Sequence, residues 1–286
     1  MKSARLSLGF AIAACAAAPF AAACQQGSQA GATAFVDVSV IPMDSERVLA
    51  GQTVVVRGDR IMAVGPSGSV EVPAGAERID GAGKYLMPGL SEMHGHTPGS
   101  FPSDEFREQV MFLYAANGVT TVRGMLGLPG DLELKAKTNT GDIWGPTLYL
   151  AGPSFSGGSI SSVEQAVERV WTQKREGWDH LKIHPGLTVA QYDAMAAAAA
   201  QAGIRFSGHV PADVGLRHAI LMGQETFDHL DGYMEAAGGI RGPMDEDAMA
   251  ELFDLTIDAK AWVVRSKSSA IASSSMGPRM PPAASM

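Results

Sequence analysis

The sequence predicts an α/β protein: an incomplete (β/α)8, or TIM, barrel preceded by a small N-terminal β domain. Three observations predict it. Residues 34–86 carry strand-like apolar runs separated by Gly-rich turns. After residue 87, short apolar runs alternate with helix-like stretches, the pattern of a parallel sheet with crossover helices. That alternation supplies seven strands and then stops after residue 264, one strand short of eight.

The first 24 residues lie outside this fold. Lys2 and Arg5 give a positive start, and LSLGFAIAACAAAPFAAA (6–23) is apolar or small throughout, the shape of a secretory signal. Pro19 and the alanine-rich end favour cleavage over a membrane span. Cys24 follows three alanines, as a lipid-anchored residue does at a bacterial lipoprotein processing site, so plain secretion and anchoring at Cys24 both stay open. Ile-Ala-Ala-Cys at 12–15 fits that processing pattern better, but leaves a short apolar run. The expected location is secreted or periplasmic. Both cysteines, 15 and 24, fall in the leader, so the domain after it can form no disulfide.

Residues 25–33, QQGSQAGAT, read as a polar tether. In the β domain (34–86), AFVDVSVI alternates, TVVVRGDRIMAVG holds a Gly-Asp turn between two apolar runs, and AERIDGAGKYLMPGL carries another Gly-rich turn. The barrel segment spans 87–264. Its expected strands are LSEMH (90–94), VTTVRGM (119–125), TLYLAG (147–152), HLKI (180–183), IRFSGH (204–209), ETFDHL (225–230) and AWVV (261–264). Between them, helices are expected over 103–118, 161–177 with Ser162 as N-cap and Gly177 as stop, 188–203, and 245–260. The alanine run 196–200 reads as helix packing, and His218 falls in a further helix, VGLRHAILMG. From Arg265 to the end the composition is Ser, Ala, Met and Pro without periodicity, that of a disordered tail.

A formal net charge of −8 with no basic stripe argues against a nucleic-acid partner. There is no phosphate-binding loop of the G-x-x-x-x-G-K-[ST] kind. The chemistry lies in the histidines. All seven fall between residues 94 and 229. Side chains at i and i+2 of a strand share a face, so His94 and His96 point together at a strand end. His209 and His229 stand at the ends of two later strands. Active sites of β/α barrels sit at that C-terminal face, so four imidazoles converging there predict a metal site. Glu92, on the face of His94, is placed to orient it. Lys182 points into the barrel, where an unpaired charge is costly. Of its neighbours, His180 lies lower and reads as structural, while His184 lies beyond the strand end and could touch substrate. Arg123 and Tyr233, near strand ends, are further candidate substrate contacts.

The stretches GDRIMAVG…IDGAGKYLMPGLSEMHGH, GVTTVRG, LKIHPG, FSGHVP and FDHLDGY, taken in order, resemble the amidohydrolase superfamily over residues 34–264, nearest its imidazolonepropionase-like and Xaa-Pro dipeptidase-like enzymes. The resemblance implies hydrolysis of a carbon–nitrogen bond, in an amide, cyclic amide or dipeptide, by a metal-activated water. It implies two divalent metal ions, expected to be zinc. His94 and His96 would hold the buried metal, His209 and His229 the exposed one, and an N-carboxylated Lys182 would bridge both. Lys182 and His229 are then the catalytic residues, and the partner is a small-molecule or dipeptide-like substrate. The sequence departs from the family pattern in two places. Glu92 stands where the family has Asp. No candidate is found for the aspartate expected at the end of an eighth strand, so a truncated or frame-shifted, catalytically impaired metal-binding fragment is the alternative expectation.

Overall fold

The computed structural model describes residues 31–99, 103–239 and 242–264. The leader, most of the tether, Cys24 and the tail from residue 265 lie outside the described residues. The chain divides into two compact units between Met87 and Pro88.

The first unit is one five-stranded sheet. Strands β1 (Ala32–Val40), β2 (Leu49–Arg57), β3 (Arg60–Pro66) and β4 (Glu77–Asp80) lie in the order β3-β2-β1-β4, and β5 (Tyr85–Leu86) also pairs with β1. The Gly-Asp turn joins β2 to β3 as an antiparallel hairpin, with Gly58 at φ +58°. Ala32, Ala34 and Val55 form its buried centre. β1 therefore starts at Ala32, two residues inside the stretch read as tether. A buried alanine there, not polarity, decides where the strand begins.

The second unit alternates strands and helices: β6 (Leu90–Gly95), α1 (Asp104–Ala116), β7 (Val119–Gly124), α2 (Asp131–Thr140), β8 (Thr147–Leu150), α3 (Val163–Glu176), β9 (His180–Ile183), α4 (Val189–Ala202), β10 (Arg205–Gly208), α5 (Leu216–Leu221), β11 (Thr226–Asp228), α6 (Tyr233–Ala236), α7 (Glu246–Asp258) and β12 (Trp262–Val264). All pairings between these strands are parallel and follow chain order, β6-β7-β8 and β9-β10-β11-β12. Bridges from Ala151 to His180 and from Phe155 to Ile183 join the two groups. The expected seven strands are all present, and the architecture is a partial TIM barrel.

Its helices form for reasons visible in the chain. Ser162 caps α3 by accepting from Gln165 N–H, and Gly177 ends it in a left-handed conformation at φ +93°. Thr188 and Gln191 form a capping box on α4. Ala166, Val170, Tyr192, Met195 and Ala199 face inward and pack on Leu181, Ile183, Phe206 and Phe227. Strand alternation then turns His180, Lys182, Ser207, Thr226 and Asp228 to the other face, the barrel interior.

Candidate metal centre

The site is assembled by strand ends. Gly95 separates His94 from His96 because β7 leaves no room there: an added Cβ would meet Val122. Gly208, at φ +135°, precedes His209 because a side chain would strike the Ile183 carbonyl. β11 ends at Asp228, and the next two residues, His229 and Leu230, are both left-handed, at φ +61° and +63°. Two successive non-glycine residues in that region are strained, a cost of about 1–3 kcal/mol each. The sharp turn brings consecutive residues, Asp228 and His229, to one focus.

A line of imidazoles crosses the site. Ring centroids stand 5.3 Å apart for His96 and His94, 4.6 Å for His94 and His229, 5.1 Å for His229 and His209, and 5.0 Å for His209 and His184. Lys182, fully buried, donates to Asp228 Oδ2, and His94 Nδ1 lies 3.4 Å from that oxygen. His94, Asp228 and His229 each offer a ligand atom within 4.8 Å of the others. His94 Nδ1, His229 Nδ1 and Asp228 Oδ1 are buried and make no hydrogen bond among the described residues. Buried polar atoms are normally paired, so three converging lone-pair donors without partners fit a divalent cation.

The electrostatics agree. Burial, reinforced by His94, holds His96 and His229 below the ordinary histidine pKa. Burial likewise lowers His184 to about 4. A neutral imidazole is the form that binds metal. Burial opposes ionisation of Asp228, but His94 and Lys182 outweigh it and hold the carboxyl well below the carboxylate range. Burial lowers the Lys182 pKa against the pull of Asp228.

The structure thus brings together His94, His96, Lys182, His209 and His229, with His184 at the edge stacked on His209. Three expected contacts differ. Tyr233 is fully buried, and its hydroxyl bonds Thr256 on α7, so it packs α6 and does not face substrate. Arg123 is also buried; its guanidinium crosses the interior to Thr226, at the start of β11, and forms barrel floor. Glu92 accepts from the His94 backbone N–H at 2.8 Å, bracing the main chain and not the imidazole. His218 bonds Asp193 at 2.6 Å and ties α5 to α4.

Two acidic residues went unnoticed in the sequence. Asp228 is the first. Asp231 is the second: its Oδ2 stands 2.5 Å from His209 Nδ1, which fixes the ring and leaves Nε2 free. Both lie in FDHLDGY, beside the histidines they serve.

No family model matches the sequence. An adenine deaminase of Mesorhizobium japonicum is 26% identical over 232 residues, 74% of this chain and 35% of that protein. A protein described as a prolidase from Bifidobacterium longum is 26% identical, covering 70% of this chain and 55% of the other, with a TM-score of 0.60. A solved amidohydrolase aligns at a TM-score of 0.68 and 19% identity over 82% of this chain and 66% of its own. The chain is thus similar in sequence to an adenine deaminase and a prolidase over most of its own length, and it shares the fold of a solved amidohydrolase. It spans about a third of the adenine deaminase and about half of the prolidase. The strand-end cluster of histidines, Lys182 and Asp228 is the candidate metal centre.

Proposed function

We propose that this chain is an amidohydrolase and hydrolyses a carbon–nitrogen bond in a small amide, cyclic amide or dipeptide-like substrate. The observation that carries the reading is the trio of buried, unpartnered atoms, His94 Nδ1, His229 Nδ1 and Asp228 Oδ1. A divalent cation there would polarise the scissile carbonyl and acidify a water.

The chain's own groups prepare that site. Lys182 holds Asp228 ionised and in place. Asp231 holds His209 in one orientation. Gly95 and Gly208 let the strands approach closely enough for their flanking histidines to meet. His184, neutral and half-buried beside His209, can accept a hydrogen bond from a substrate N–H. Asp228, buried and bonded to Lys182, would place negative charge beside the cation.

The fuller proposal is a pair of zinc ions, with His94 and His96 on one, His209 and His229 on the other, and an N-carboxylated Lys182 between them. It is supported by the convergence of all five groups. Carboxylation would displace Asp228 from the Lys182 nitrogen, and the added mass of carbon dioxide on the Lys182 peptide would reveal it. Export, with or without a lipid at Cys24, is also part of the proposal and rests on the composition of residues 1–24. Cell fractionation with and without a Cys24→Ser change tests it.

The activity test uses the full chain with zinc. Xaa-Pro dipeptides, cyclic amides and adenine are offered separately, and amine or ammonia release is followed. Turnover on at least one, abolished by chelation and restored by zinc, is expected. A zinc-loaded chain inert on all three classes would support the catalytically impaired alternative.

A further inference from the structure

Beneath the metal centre lies a second polar layer that the hydrolytic chemistry does not use. Arg123, 9% exposed, bonds Thr226 through Nη2 and leaves Nη1 without a partner among the described residues. His180 is 5% exposed and Ser207 fully buried, and His180 Nε2 and Ser207 Oγ are likewise unpartnered. The strand register places these groups together. Ser207 pairs with Lys182 across β9 and β10, and His180 precedes Lys182 by two residues on the same face. Gly208 pairs with Phe227, which sets Ser207 beside Thr226, the residue Arg123 grips.

The charge in this layer is not balanced. Two carboxylates act on Arg123, those of Asp228 and Glu225. Asp228 shares its charge with Lys182 through Oδ2, and Glu225 accepts from Arg205 at 2.8 Å. A buried guanidinium that must share its carboxylates with two other cations is costly. Arg123 Nη1 can only donate, and the Ser207 hydroxyl and a His180 ring nitrogen beside it can donate to the same acceptor. Unpartnered polar groups gathered around a cation that shares its carboxylates with Lys182 and Arg205 suit an anion.

We propose that Arg123, His180, Ser207 and Thr226 form a buried site for a small monovalent inorganic anion of halide size inside the barrel. The bound anion neutralises Arg123 and secures the floor on which Lys182 and Asp228 stand. This site is independent of which substrate the enzyme takes.

The test uses bromide as the probe. Crystals of the full chain grown in sodium bromide are measured at the bromine absorption edge. A single anomalous peak within hydrogen-bond reach of Arg123 Nη1, lost in Ser207→Ala or Arg123→Met, is the expected result. A water in that place, or bromide only on the surface, overturns the proposal. In solution, replacing gluconate by chloride at fixed ionic strength should raise the wild-type Tm by a few degrees. Ser207→Ala should show less than half that rise, and an equal rise in both chains would also overturn it. Should Arg123→Met not fold, the wild-type bromide map and Ser207→Ala decide the matter.

Discussion

Asp228 and His229 are neighbours, and strand alternation would send their side chains to opposite faces. They reach one focus because the strand stops at Asp228 and the chain then turns left-handed. Replacing Asp228 with Asn should weaken zinc binding by at least tenfold in a competition titration with a chromophoric chelator, since it removes the anionic group and strands Lys182. An unchanged affinity would remove Asp228 from the ligand set. His180 makes a second prediction. Its folded pKa, about 3, lies below the unfolded value near 6.5, so the unfolded chain binds the extra proton on acidification. Its contribution is complete above pH 6.5 and lost as pH falls toward 3, with a slope of roughly 1.4 kcal/mol per pH unit. Urea unfolding between pH 7 and 5 should therefore cost the metal-free wild type more stability than His180→Asn. The histidines were legible because each stands at a recognisable strand end. Asp228 and Asp231 were not, because a left-handed turn and a carboxylate–imidazole pair leave no periodic trace.

At the scale of elements, the segment after β6 is held by one buried carboxylate. Asp131, at the start of α2, accepts from Arg107 on α1 at 2.7 Å, from Thr97 at 2.8 Å and from the Leu128 N–H at 2.9 Å. Thr97 follows His96 directly, so this network fixes the exit of the metal-binding strand. Asp131→Ala should destabilise the chain by about 3–5 kcal/mol, because it takes away the buried carboxylate of Arg107 and leaves that guanidinium only the Pro98 carbonyl and the exposed Asp104, 3.8 Å away. Ser162→Ala, by contrast, removes only the cap of α3 and should cost about 1 kcal/mol. Denaturant midpoints of the two variants check both, and the first should be several times the second. Helices α1, α3, α4 and α7 were legible through their caps and apolar spacing. Helix α2 was not: DLELKAKTNT buries only Asp131 and Leu134, and its fold depends on the tertiary bond network and not on an apolar stripe. The four-residue α6 is likewise set by its surroundings, with Tyr233 packed on Phe253 and bonded to Thr256.

At the scale of the molecule, seven parallel strands in chain order curl until the first meets the sixth: His94 on β6 stands against Asp228 and His229 at the end of β11. That curvature turns residues 135 positions apart in sequence into one site. Strand-then-helix repetition made the barrel legible, whereas the bridges joining β8 to β9, single residue pairs, could not be read from the chain. The central claim is that this convergence binds metal. The most direct measurement is the zinc content of the full chain after metal stripping, equilibration with zinc and dialysis, compared with a His94→Ala/His229→Ala double variant and a His218→Ala control. The account predicts at least one zinc per chain in wild type and control, and loss of tight zinc from the double variant while it stays folded. Equal zinc in all three, or a folded wild-type chain that takes up none, would contradict it.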